Sequence, residues 1–209
     1  MQRTPKLLDI ELLSSGWLNK YRLTYELPDG SVHPYEAASR KKPDAYRREL
    51  ELAGAGECVR EADAVCVVPY TPEGTLVLIR EFRYPLNSWC ISFPAGLIEP
   101  GEEIASCLER ELAEETGYRL VRDESGTPQI RALAQAGYSS TGMTDERVQV
   151  AYALVEKDRA ATPEPSEFIE VFELPIADAA RFLEENTTPI GIRCQLVLEA
   201  YAHEAATRS

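Results

Sequence analysis

An α/β or α+β sandwich is the fold the sequence predicts, on three observations. Stretches that read as strands outnumber those that read as helices. The helical stretches fall between strands, where they can cover the faces of a sheet. Of 209 residues, 44% are apolar and 8% aromatic, enough to bury the core of one large domain, or one domain with a small appendage.

The elements follow in order. Residues 20–27 alternate, with Tyr21, Leu23, Tyr25 and Leu27 on one side. Pro28, Asp29 and Gly30 then supply turn chemistry, and residues 32–39 read as a returning strand. Residues 43–60 are charged and carry Gly54 and Gly56 near their end, which suggests a short helix or an irregular insertion. Two β-rich runs, 64–70 and 76–82, are joined by Thr71, Pro72, Glu73 and Gly74 as a hairpin would be. A strand over 89–93 leads into Pro94, Ala95 and Gly96. A helix follows over 102–116, stopped by Gly117. Strands near 130–135 and 147–155 bracket a polar loop, residues 168–174 alternate again, and helices over 176–185 and 190–205 finish the chain.

The formal charge of −13 argues against duplex nucleic acid or an anionic membrane as the main partner, since both call for clustered Lys and Arg. The amino terminus has no apolar stretch with a cleavage site, and no apolar run approaches spanning length. A soluble cytoplasmic protein is the expectation. Cys58, Cys66, Cys90, Cys107 and Cys194 lack CxxC spacing and read as reduced, mostly interior thiols, with neither a metal nor a disulfide.

One stretch does not fit a purely structural reading. Residues 96–118, GLIEPGEEIASCLERELAEETGY, carry Glu111, Glu114 and Glu115 in the last turns of the predicted helix. Carboxylates three and four residues apart repel, and the carboxyl end of a helix disfavours negative charge. On a wheel of about 100° per residue from Ile104, Leu108, Leu112 and Ala105 form an apolar face at roughly 40° to 100°. On the same wheel Glu111 and Glu115 fall near −20° and +20°, beside or within that face, while Glu114 lies near −80°. A solvated acidic face would not put them there. A divalent cation would turn the repulsion into chelation, and hard oxygen ligands suit Mg²⁺ or Mn²⁺.

This stretch resembles the Nudix box: Gly, five residues, Glu, seven residues, Arg-Glu, an apolar residue, any residue, Glu-Glu, any residue, Gly, apolar. Gly96, Glu102, Arg110, Glu111, Leu112, Glu114, Glu115 and Gly117 occupy every fixed place. Tyr118 stands where an aliphatic is commoner. The resemblance implies a Nudix α/β/α sandwich over residues 61–209, preceded by a mostly β region, residues 1–60. It implies that Glu111 and Glu115 ligate metal, with Glu114 and the backbone carbonyl of Ala95 assisting. Arg110 would pair with neighbouring acids and hold the helix, Glu102 would steady the loop, and Gly96 would lie against substrate. The implied chemistry is attack of water on a diphosphate.

Features outside the box resemble the ADP-ribose pyrophosphatase branch of that family, loosely from residue 16 to residue 200. Residues 78–84, LIREFRY, look like its strand with a phosphate- or ribose-contacting arginine, here Arg83. Residues 35–40, YEAASR, resemble its amino-terminal strand, where Tyr35 and Arg40 would help form the nucleotide pocket. Tyr35 or Trp17 would stack on adenine. Residues 140–147, STGMTDER, are similar to its Ser-Pro-Gly loop, whose glutamate is thought to handle the attacking water, so Glu146 is the candidate base. Two departures bear on substrate identity: Thr141 replaces the loop's proline, and residues 43–60 look longer than usual. The branch implies a homodimer built with the 1–60 region. The expected activity is hydrolysis of ADP-ribose to AMP and ribose 5-phosphate. The alternatives are a UDP- or GDP-linked sugar as substrate, or a sensor that binds ADP-ribose without cutting it.

Overall fold

The computed structural model describes residues 4–57 and 61–208 as two compact units, the first made of Met1–Asp63 with Gln135–Val148 and the second of Ala64–Ala134 with Gln149–Ser209. The chain runs β1 (Lys6–Ser14), β2 (Asn19–Glu26), β3 (Val32–Ser39), α1 (Pro43–Gly54), β4 (Ala64–Tyr70) and β5 (Thr75–Arg83). It continues through β6 (Ser88–Ser92), β7 (Ala95–Leu97), α2 (Ile104–Thr116), β8 (Tyr118–Leu120), β9 (Ile130–Ala132) and β10 (Gly137–Tyr138). It ends with β11 (Arg147–Lys157), β12 (Ile169–Pro175), α3 (Ala179–Glu185) and α4 (Ile192–Arg208). The architecture is mixed α/β, as the alternation of strands and helices predicts.

In the first unit β1, β2 and β3 form an antiparallel sheet in that order. The predicted turn lies between β2 and β3, with Gly30 at φ 84°, a conformation that favours glycine. Tyr21 and Leu23 are buried with Ala37 and Tyr46, and Leu7, Ile10, Tyr25 and Leu50 pack around them. α1 thus supplies Tyr46 and Leu50 to the cover of one sheet face, and Pro43 opens it where a missing N–H is harmless. β1 does not stand out in the sequence. It has no buried residue, and the adjacent Leu7 and Leu8 break the alternation that marks a strand.

In the second unit the sheet order is β11, β4, β5, β12, with β6 on β5, β7 on β4, and β8 and β9 on β11. β4 is buried along almost its whole length, so both faces are covered. Val65 and Val67 share a core with Cys107, Leu108 and Leu112 of α2, while Cys66, pointing the other way, meets Arg193 of α4. The sheet therefore lies between α2 on one side and α4 on the other. Cys66, Cys90, Cys107 and Cys194 are free, buried thiols, and burial pushes the Cys66 thiol up to about 11. Cys58 lies outside the described residues.

Candidate active site

α2 begins at Ile104, two residues later than the spacing predicts, and ends at Gly117 with φ 69°. A Cβ on Gly117 would sit 2.2 Å from the carbonyl oxygen of Arg159, so glycine is required there for space as well as conformation. Arg159 and Asp158 donate their N–H groups to the carbonyl of Gly117, and Thr162 donates to that of Glu114. The otherwise unsatisfied carbonyls at the end of α2 thereby anchor the loop that precedes β12.

The wheel predicts which acids are buried. Glu111 is 8% exposed and Glu115 3%, whereas Glu114 is only half-buried. Gly96 makes room for the first of them: a Cβ there would lie 1.8 Å from Glu111 Oε1. Arg110 pairs with the neighbouring acids as the resemblance implies. Its Nε and Nη2 donate to the two oxygens of Glu102 at 2.9 Å, and Nη1 donates to Glu111 at 2.7 Å and to Glu114 at 3.4 Å. Nη2 also donates to the carbonyl of Leu97 at 3.1 Å. Glu102 in turn accepts the N–H of Glu99, and the Arg110 guanidinium holds its carboxyl down to about 2.

Among the described residues no lysine or arginine forms an ion pair with Glu115. Its Oε2 accepts the backbone N–H of Ala95 at 3.0 Å. Burial pushes its carboxyl well up, helped by the charges of Glu81, Glu111 and Glu167. Burial also raises Glu111 against the pull of Arg110, with Glu114 and Glu167 adding to the rise. Glu81 and Glu167 are site acids that sequence reasoning missed. Glu167 stands in the loop tied to the end of α2, and no spacing rule connects it to the box. Among the described residues, no three His, Cys, Asp or Glu side chains already converge as a cage for an ion. Arg110 accounts for part of this, since it draws Glu111 and Glu114 toward itself. The donors nevertheless fit a hard divalent cation: carboxylates only, two of them buried one helical turn apart, in an incomplete set suited to an ion that keeps several waters.

Arg83, at the end of β5, is exposed and pairs with Glu81 at 3.1 Å. The remaining predicted residues belong to the first unit. There the loop of residues 139–146 is held along β3: Ala38 donates its N–H to the carbonyl of Met143, and the Tyr35 hydroxyl donates to that of Gly142 at 2.7 Å. This registers Glu146 beside Arg40, and the two form an ion pair. The Arg40 guanidinium also lies over the ring of Trp17, 4.6 Å from its centre, and Trp17 is 71% exposed. Tyr35, Tyr25, Tyr46, Tyr138, Thr141 and Met143 help line a cavity of about 560 Å³. Among the described residues its lining holds Glu49, Glu57 and Asp145 and no Lys or Arg, so it disfavours a diphosphate.

The NUDIX domain pattern matches residues 60–191, well over half of the chain. The chain belongs to the Nudix family. It is 33% identical to an ADP-ribose pyrophosphatase of Bacillus subtilis (strain 168) over 168 residues, covering 77% of this chain and 85% of the relative. It is 28% identical to an ADP-sugar pyrophosphatase of Mus musculus over 211 residues, covering 95% and 85%. A crystal structure of an ADP compounds hydrolase superposes with a TM-score of 0.69 at 21% identity, covering 99% of this chain and 98% of that one. The Nudix fold and a diphosphate-hydrolysing activity follow. Members of the family generally use divalent metals, and no helix among the described residues is long and apolar enough to cross a membrane.

Proposed function

We propose that this Nudix hydrolase cleaves the diphosphate of ADP-ribose to AMP and ribose 5-phosphate with Mg²⁺, for which Mn²⁺ can substitute. The observation that carries this reading is Glu115: a carboxylate 3% exposed, facing other acids and given one backbone N–H. Burying an uncompensated carboxylate costs several kcal/mol, so a cation is the natural complement of the site. Glu111 and Glu115 would hold it, with Glu114 and the Ala95 carbonyl assisting. Such an ion offsets charge on diphosphate oxygens and makes water more acidic.

The chain's own groups do the rest. Arg110 keeps Glu111 and Glu102 in place. Arg83 binds the diphosphate, and Gly96 lets substrate approach the helix. Trp17 and Tyr35 stack on the base, with Arg40 beside them. Glu146 takes the proton of the attacking water. Glu167 is the second candidate for that step, because its charge bears on both Glu111 and Glu115. The region 1–60 builds a homodimer and part of the pocket, residues 61–209 form the hydrolase domain, and the protein works in the cytoplasm. The names of the two pyrophosphatase relatives support an ADP-linked substrate.

Separating the products of an ADP-ribose digest tests the reading. AMP and ribose 5-phosphate should form with Mg²⁺ and not with chelator. Faster cleavage of a UDP- or GDP-linked sugar would move the substrate assignment, and tight binding of ADP-ribose without products would make the protein a sensor. Loss of roughly 10²- to 10⁴-fold in kcat in Glu146→Gln, with KM little changed, would mark it as the base. The same loss in Glu167→Gln instead would move that role.

A further inference from the structure

β5 carries two unlike faces. Val77 lies in the core that α2 covers, and alternate residues of a strand share a face, so Ile79, Glu81 and Arg83 continue Val77 along that side. A carboxylate there is unexpected. The Glu81 side chain is only 17% exposed, and its negative charge bears on buried Glu115. A residue that makes its neighbour's burial harder does not serve stability. Both of its oxygens are engaged: Oε1 accepts the Ser92 hydroxyl at 2.9 Å and Oε2 accepts an Arg83 N–H at 3.1 Å. Ser92 stands on β6, itself hydrogen-bonded to β5. A carboxylate fixed by two paired strands therefore aims a guanidinium that is 56% exposed.

We propose that Glu81 is a positioning residue for the hydrolysis, holding Arg83 ready for the substrate diphosphate. The inference rests on the reading of Arg83 as the diphosphate contact. A long side chain at a strand end otherwise spreads over many rotamers, and ordering it on binding costs about 0.5–1.5 kcal/mol. The pair with Glu81 removes much of that cost beforehand. It engages one edge of the guanidinium and leaves further N–H donors for phosphate oxygens. The Ser92 hydroxyl keeps Glu81 in place while Arg83 engages substrate.

Steady-state kinetics with ADP-ribose and Mg²⁺ on the wild type, Glu81→Gln, Arg83→Ala and the double variant test this, alongside melting temperatures. Glu81→Gln should raise KM by about 3- to 10-fold, the range that such an ordering cost implies. Its kcat should stay within about threefold and its melting temperature should not fall. Arg83→Ala should raise KM further, and the double variant should match Arg83→Ala, because Glu81 acts through Arg83. Additive effects of the two substitutions would overturn the inference while leaving Arg83 as the diphosphate contact. So would a loss of kcat in Glu81→Gln with KM held, which would assign Glu81 to the acids of α2. An unchanged KM in Arg83→Ala would overturn the reading of Arg83 itself, and the inference with it.

Discussion

Each unit of this chain contains an acidic cluster, and the two are built on opposite rules. In the first unit Asp145, Asp63 and Glu49 share Lys41, at 2.7, 3.2 and 3.3 Å, and Arg147 adds a contact of 3.1 Å to Glu49. In the second unit Glu115 faces Glu81, Glu111 and Glu167, and among the described residues no lysine or arginine forms an ion pair with it, while Arg110 serves Glu102, Glu111 and Glu114. The first cluster is complete as folded, and its charges join β3, α1 and the 139–146 loop. The second is left short of positive charge, which a structural cluster would not be. Counting cations around clustered acids thus distinguishes a fastening from a candidate site.

The largest expected effect breaks the second cluster. Glu115→Gln should lower turnover by about 10²-fold or more, since it removes an oxygen proposed to hold the cation while keeping an acceptor for the Ala95 N–H. Its metal-free stability should equal or exceed that of the wild type, because like-charge repulsion is relieved. Urea titration in chelator, run beside the activity assay, checks both halves.

Breaking the first cluster should do the reverse. Lys41→Met leaves three acids short of a cation and should destabilise the fold by about 2–3 kcal/mol, less than the loss from a fully buried pair because Lys41 keeps some exposure. The midpoint of the same titration reads this directly.

The pH dependence should distinguish the clusters more finely. Glu111 and Glu115 have folded-state values raised above the ordinary 4.5, so the folded chain holds their protons more firmly. Metal-free stability should then fall as pH rises from about 4.5 through those raised values. Glu102, held down to about 2 by Arg110, acts oppositely: its contribution is present above 4.5 and is lost as pH falls toward 2. As pH rises above about 4.5 the wild type should lose stability in chelator, and a Glu111→Gln, Glu115→Gln double variant should show a flatter profile.

The smallest effect concerns the departure from the box pattern. Tyr118 is buried, its hydroxyl donates to Glu173, and the Lys157 ammonium lies 4.6 Å from the centre of its ring. Tyr118→Phe should cost about 1 kcal/mol and leave turnover unchanged, as a tie among β8, β11 and β12 rather than a part of the chemistry.

The two clusters also differ in how far the sequence discloses them. Glu111, Glu114 and Glu115 sit on one helix, so a fixed periodicity tells which of them the apolar face carries inward. Lys41 and Asp145 lie 104 residues apart, and only the pairing of the 139–146 loop with β3 brings them together. Glu81 lies in the run 76–82 that reads as a strand, and Glu167 lies outside every element the sequence predicts; neither spacing nor alternation reports which way a strand faces before the sheet is assembled. Arg83, Arg40 and Tyr35 come forward as candidates only through family resemblance, and the Arg40–Glu146 pair not at all. The strand β1 escaped notice because an exposed edge strand needs no regular alternation.

Thermal melting of the wild type and Glu115→Gln, each with chelator and with millimolar Mn²⁺, tests most directly whether Glu115 holds a cation. A ligand bound only by the folded state stabilises it in proportion to ln(1 + [L]/Kd). The wild type should melt several degrees higher with Mn²⁺, Glu115→Gln should gain little, and in chelator the variant should melt at or above the wild type. Equal gains in both proteins, or a variant that melts well below the wild type in chelator, would contradict the claim that Glu115 is buried to hold a cation.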